Sequence, residues 1–223
     1  MKPVLFDLCC KAGGCSKGYQ QAGFYVVGVD IEPRPRYIGD EFIQMDALKL
    51  LRILIAGGYV NGWCLADIAA FSASPPCQGY SRETPMAHKS KHPRLIGDFR
   101  KLLQATGRPY IIENVEDARR ELVNPIKLCG SMFGLPIWRH RYFEMWPDRL
   151  LLTPGCQHNF APVLITGTPR RKGIKRADPP VALRRQAIDI DWMVTDELDE
   201  AIPPAYTHWI GNQIMSILQP EAA

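Results

Sequence analysis

Val4-Leu5-Phe6-Asp7-Leu8-Cys9-Cys10-Lys11-Ala12-Gly13-Gly14 opens as an apolar run of strand length and breaks into a glycine turn. Residues 16–23 then carry a helical pattern that stops at Gly23. Strand, glycine turn and helix, in that order, bring backbone close to a nucleotide cofactor in a Rossmann-like sheet. A glycine pair alone is more often a simple turn, so the segments that follow decide the matter. Tyr25-Val26-Val27-Gly28-Val29-Asp30 reads as a second strand ending in an acid, roughly twenty residues past the turn, which suits a ribose hydroxyl pair; a cap or turn role for Asp30 competes equally. Phe42-Ile43-Gln44-Met45-Asp46-Ala47-Leu48 repeats the scheme. Asp46 either meets an adenine amine or caps the helix predicted through residue 55.

The next strand predicted, over 63–71, runs into Phe71-Ser72-Ala73-Ser74-Pro75-Pro76-Cys77-Gln78-Gly79-Tyr80-Ser81. Two prolines stop the strand and stiffen the loop, because a proline ring fixes φ and restricts the residue before it. Cys77 stands directly after them, at the sheet end where ligands of open α/β proteins bind. A thiolate attacks electron-poor carbon at neutral pH better than other side chains. Most free cysteines are inert and buried, so Cys77 alone is weak. A long loop over 82–93 follows the cysteine. An amphipathic helix is expected over 95–106, with Gly107 past its end. Residues 108–115 read as a strand closing in Glu113-Asn114, polar groups that are costly to bury without partners. Trp138-Arg139-His140-Arg141-Tyr142-Phe143-Glu144-Met145 alternates as a strand does, with Arg139 and Arg141 on one face.

At 223 residues, 46% of them hydrophobic, the chain suits one well-filled domain with a small appendage. It contains no apolar run long enough for a membrane span, and its start is not a signal peptide. Seven cysteines without an extracellular framework suggest a reducing cytoplasm. Net charge is only +4, but its distribution is uneven. Over 148–180 prolines, glycines and the basic cluster Arg170, Arg171, Lys172, Lys175 and Arg176 replace the strand–helix rhythm. This is either a solvated loop or an arm that neutralises phosphates. Cys156-Gln157-His158 has a metal-like look, but no second pair stands at ligand spacing, and the sequence is read without a metal site. A closing helix is expected from 202 to 218.

Taken in order, these pieces resemble the DNA cytosine-5 methyltransferase family, in a short form like those of bacteriophages. Phe71 to Gln78 is similar to its proline-cysteine-glutamine motif, Ile112-Glu113-Asn114-Val115 to its glutamate-asparagine-valine motif, Arg139-His140-Arg141 to its paired-arginine strand, and Ile210-Gly211-Asn212 to its late glycine-asparagine motif. The resemblance covers 4–146 and 181–219. It implies an α/β fold of the Rossmann-like class I S-adenosylmethionine-dependent type: a mixed, mostly parallel sheet with helices on both faces and a small target-recognition insertion. The expected layout is a catalytic and cofactor-binding domain over 1–147, the basic insertion over 148–180, and a segment over 181–223 that returns to the catalytic domain.

The activity so implied is transfer of a methyl group to C5 of cytosine in double-stranded DNA, by a monomer in the cytoplasm (of a bacterial host, for a phage product). Cys77 is the expected nucleophile toward C6 of a flipped base, with Glu113, Arg141, Arg139, Gln78 and Asn114 around it. Phe6, Asp7, Leu8, Lys11, Gly13, Gly14, Asp30, Ile31, Asp46, Pro76 and Asn212 are the expected S-adenosylmethionine contacts. Ser81 and Arg82, with the 170–176 cluster, are the expected DNA contacts. The chain departs from the family where Lys11 stands in place of glycine. That cation raises one alternative, a modified S-adenosylmethionine bearing an extra carboxylate. An RNA substrate and a non-catalytic DNA-binding relative are the others.

Overall fold

The computed structural model describes residues 1–81, 92–148, 153–165 and 179–218. Among these residues the apolar runs form seven strands: β1 (Val4–Leu8), β2 (Tyr25–Asp30), β3 (Glu41–Gln44), β4 (Ile68–Ala73), β5 (Tyr110–Asn114), β6 (Ile126–Leu128) and β7 (Arg141–Trp146). They make a single sheet in the order β3-β2-β1-β4-β5-β7-β6. The first five run parallel, whereas β7 lies antiparallel between β5 and β6. Strand order reverses between β1 and β4, so the crevice outside their carboxyl ends is where a doubly wound sheet binds ligand.

Alternation along the strands assigns a face to every residue. Phe6, Leu8, Val27, Val29, Phe71 and Ile112 meet Leu50, Leu51 and Leu54 of helix α2 (Ala47–Ile55) and Phe99 and Leu103 of α3 (Ile96–Thr106). Leu5, Val26, Ala70, Ile111 and Phe143 face the other way, toward Tyr19 of α1 (Gly14–Gln21) and Tyr206, Ile210 and Ile214 of α6 (Pro204–Leu218). Burying each such side chain contributes about 1.5–3 kcal/mol, and the two layers together fix the sheet. Between these layers and the chain's later part, α4 (Val181–Ile188) and α5 (Thr195–Glu200) contribute a third apolar cluster with Ala12 and Ile137.

Several local predictions hold in detail. Asp46 caps α2, its Oδ1 accepting from Lys49 N–H at 2.7 Å. Gly107 ends α3 at φ +65°, a left-handed conformation that favours glycine. Two strands differ in extent from expectation. The predicted 63–71 strand begins only at Ile68, because Leu65–Asp67 forms a short 3-10 turn whose Asp67 carboxylate accepts from Cys64 N–H. β7 begins at Arg141 rather than 138, so Arg139 is not on a strand and does not share a strand face with Arg141.

One buried ion pair braces the sheet. Arg100 of α3 grips Glu144 of β7 with two N–H donors, at 2.7 and 2.6 Å. Val123 N–H (2.8 Å) and Tyr110 Oη (3.3 Å) add to the same carboxylate. Among the described residues no helix is long and apolar enough to cross a membrane.

Candidate active site

Two prolines and one amide hold Cys77 in place. Asn114, at the end of β5, donates from Nδ2 to the Pro75 carbonyl at 3.0 Å, while Ser74 N–H donates to Leu8 O. Beyond the prolines, Cys77 O accepts from Tyr80 and Ser81 N–H in a tight turn. The thiol therefore stands on a loop pinned from both sides. Asn114 acts here through that loop, holding Pro75 rather than facing a substrate.

The loop opens into a cavity of about 790 Å³ at the carboxyl ends of β1, β2, β4 and β5. Cys77, Gln78, Ser81, Glu113 and Arg141 line one part of it. Arg141 Nε lies 3.2 Å from Glu113 Oε1, an ion pair without the alignment of a hydrogen bond, and Arg141 Nη1 donates to His140 O at 2.9 Å. Glu113 is buried, and its Oε1 has no hydrogen-bond partner among the described residues. Burial pushes the Glu113 carboxyl above its ordinary range, against the pull of Arg141. Burial likewise raises the Cys77 thiol; the Glu113 charge adds to that rise and Arg141 opposes it.

Asp7, Lys11, Gly14, Asp30, Ile31 and Asp46 line the other part, together with Pro76. Asp7 is fully buried; Ser16 Oγ donates to its Oδ2 at 2.6 Å, but Oδ1 lacks a partner among the described residues. Burial, reinforced by the charges of Asp30 and Glu113, pushes the Asp7 carboxyl up to about 7 despite the Ser16 bond. Asp30 accepts from Lys11 N–H, Glu32 N–H and Arg34, at 3.0, 3.1 and 3.1 Å, so it shapes the turn as well as facing the cavity. Lys11 takes a left-handed conformation, φ +52°, and its Nζ pairs with Glu200 Oε2 at 3.1 Å. The cation raised at the sequence level thus already has a carboxylate within the chain.

Other expected cofactor contacts lie elsewhere. Phe6 and Leu8 are fully buried in the core, because alternation along β1 turns them toward α2 and leaves Asp7 for the cavity. Gly13, at φ +86°, shapes the turn before α1 without lining the cavity. Asn212 is exposed in the middle of α6 and does not line the cavity, and its neighbour Gly211 packs against α1, where a Cβ would come within 2.6 Å of Ala22 Cβ. Arg139 is also absent from the cavity wall: it donates to Asp199 O at 2.5 Å, and burial, with Arg141 nearby, pushes its guanidinium down to about 9. Arg82, Arg170, Arg171, Lys172, Lys175 and Arg176 lie outside the described residues.

The sequence reading missed a wall. Met193, Glu197, Asp199, Glu200, Ala201 and Ile202 close the cavity from the C-terminal side. Asp199 is held in turn by buried Arg184. It also missed a convergence of Cys129, His140, Cys156 and His158, although 156–158 alone had looked metal-like.

No protein-family model and no curated protein matches the chain. Among solved structures, a methyltransferase of Entamoeba histolytica, EhMeth, superposes over 99% of both chains with a TM-score of 0.55 and 14% identity. A protein described as a DNA modification methyltransferase encoded within an E. coli prophage covers 74% of this chain (22% identity, TM-score 0.46), and the Dnmt2 methyltransferase of S. pombe covers 65% (19% identity, TM-score 0.45). The chain spans about half the length of the latter two, 53% and 49%. At 14% identity the likeness to EhMeth is one of fold. Sheet order and superposition define an α/β protein with the class I S-adenosylmethionine-dependent methyltransferase fold.

Proposed function

We propose that the chain is a DNA cytosine-5 methyltransferase that uses S-adenosylmethionine. The observation that carries the reading is the meeting of Cys77 with the Glu113–Arg141 pair in one cavity, with a Glu113 oxygen left unsatisfied. A buried acceptor without a partner is costly. A cytosine edge, which offers a ring nitrogen and an amine, would supply what Glu113 lacks.

The cofactor end fits the same reading. Asp7 Oδ1 is an orphaned acceptor in the cavity, available to an ammonium donor, and Ile31 and Leu48 offer apolar walls beside Asp30 and Asp46. When bound, S-adenosylmethionine supplies an electrophilic methyl group. The chain's own residues do the rest. The Cys77 thiolate adds to C6 of the ring, which makes C5 nucleophilic. A protonated Glu113 donates to N3 and its other oxygen accepts from the exocyclic amine as electron density rises. Arg141 holds O2 and stabilises charge that develops there. Once C5 carries the transferred methyl group, loss of its proton to a base expels the Cys77 thiolate from C6 and restores the ring double bond.

These atoms are hidden in a stacked duplex, so the base must leave the stack; methyltransferases are a standing example of that behaviour. In this reading residues 1–147 carry catalysis, the basic 148–180 insertion grips and reads DNA, and 181–223 close the cofactor side. Lys11 is engaged by Glu200, which favours the ordinary cofactor over a carboxylated form.

The test is mass spectrometry of nucleosides from DNA incubated with the protein and S-adenosylmethionine. The expected product is 5-methylcytosine, absent with Cys77→Ala. A product formed on transfer RNA but not DNA moves the substrate to RNA, and product formation by Cys77→Ala overturns the mechanism.

A further inference from the structure

Cys129, His140, Cys156 and His158 come from three separate places in the chain, yet their ligand atoms all lie within 4.8 Å of one another. Cys129 follows β6 at the start of the Gly130–Phe133 turn, His140 immediately precedes β7, and Cys156 and His158 sit on the irregular 153–165 segment. Cys129 Sγ is 3.3 Å from His158 Nε2, and Cys156 Sγ is 3.7 Å from His140 Nε2. In a tetrahedral zinc site with ordinary Zn–S and Zn–N bonds, neighbouring ligand atoms stand about 3.3–3.8 Å apart. The two pairs are already at that separation, and the others, all within 4.8 Å, need a contraction of about 1.5 Å or less to reach it.

We propose that these four side chains form a structural zinc site. Two thiols and two imidazoles, with no carboxylate among them, are a donor set that selects zinc with tetrahedral geometry. All four positions are filled by protein, which suits a structural ion rather than a catalytic one. Outer contacts hold the ligands as such sites require: Ser131 Oγ lies 3.1 Å from Cys129 Sγ and accepts from Gln157 N–H at 3.0 Å, and Trp138 stacks on the His158 ring at 4.5 Å. Binding converts both thiols to thiolates and releases their two protons to solvent, so affinity rises with pH.

Such an ion does what the backbone there does not. The described 153–165 segment forms no helix or strand, and its backbone N–H groups reach outward at Val163, to Pro136 O, and at Gln157, to Ser131 Oγ. Zinc would clip it to the sheet edge. It would also fix His140, whose carbonyl accepts from Arg141; this last role rests on the methyltransferase reading, whereas the site itself does not.

The experiment is metal analysis of the full chain purified with reductant and without chelator, followed by cobalt(II) substitution. The expected result is one zinc per chain, and, with cobalt, the thiolate charge-transfer and intense visible bands of a tetrahedral site. Cys156→Ser should abolish those bands. His158 is exposed, so His158→Gln gives up its ring contact with Trp138 but no buried packing, and should weaken cobalt binding by about tenfold or more. Cys64→Ser, a thiol elsewhere, should change nothing. A chain that binds neither metal, a Cys129–Cys156 disulfide found in its place, or cobalt bands that persist in Cys156→Ser overturns the proposal. Metal content is read without any turnover, so a failed methylation assay does not bear on it.

Discussion

Two glutamate–arginine pairs stand one residue apart across the β5–β7 ladder and are built to opposite ends. Glu144, opposite Ile112, faces α3 and is closed: Arg100 bonds both oxygens, and Val123 N–H and Tyr110 complete them. Glu113, opposite Phe143, faces the other way and is open: Arg141 comes near but leaves Oε1 without a hydrogen bond. The two pairs share chemistry and nearly share position. They differ in whether the fold itself supplies the last donor. A carboxylate satisfied within the chain braces the sheet; one left wanting, at a cavity, is held for something that arrives.

The largest effect is expected at the open pair. Glu113→Gln should lower methyl transfer by about 10²–10⁴-fold, the usual weight of a positioned acid, while the thermal midpoint stays level or rises because a desolvated charge is removed. A variant that unfolds instead would show Glu113 to be a second brace, and the contrast would collapse. Next comes the closed pair. Glu144→Ala leaves the Arg100 guanidinium without its partner, and should cost about 3–5 kcal/mol in denaturant titrations, with turnover per folded molecule retained. A smaller, sharper effect tests the charge balance at Cys77. Glu113 raises that thiol and Arg141 lowers it. The pH profile of Cys77 alkylation, followed by peptide mass spectrometry, should therefore move to lower pH in Glu113→Gln and to higher pH in Arg141→Ala. Shifts of one sign in both variants would mean that packing, not charge, sets the thiol.

Two of those residues were legible in the sequence because each stands at or just past a strand boundary, where a lone polar group interrupts an apolar run. Cys77 after two prolines and Glu113 near the end of β5 have that signature, whereas Arg141 stands inside a stretch that reads as continuous strand from 138 and is singled out only by its likeness to the paired-arginine strand. The α2 helix was legible for a different reason: Asp46 supplies a cap and 47–55 supply one apolar face. Period-two patterning misplaced Arg139, since Trp138-Arg139-His140 alternates as well as a strand does while the chain there is still turning toward Asp199. It also does not say which way β1 faces, so in the sequence Phe6 and Leu8 stand as cavity candidates beside Asp7. The acidic wall on α5 was hidden because Thr-Asp-Glu-Leu-Asp-Glu reads as a solvated helix. The Cys–His group was hidden because its members are spread from 129 to 158, and only folding of the sheet edge brings them within reach.

The close seat of α1 on α6 joins the two ends of the chain. A Cβ at Gly18 would come within 2.1 Å of Thr207 Oγ1, and Thr207 Oγ1 donates to Cys15 O, 192 residues back along the chain. All seven strands have been synthesised by Trp146, yet the helix beside the first glycine turn still lacks its neighbour, and Ala201 and Ile202 have not closed the cavity. A nascent chain that has reached Trp146 therefore carries every strand of the sheet but not the segment that completes the pocket. A stop before Met193 would freeze that stage: a product that carries every strand of the sheet and none of the cavity's C-terminal wall.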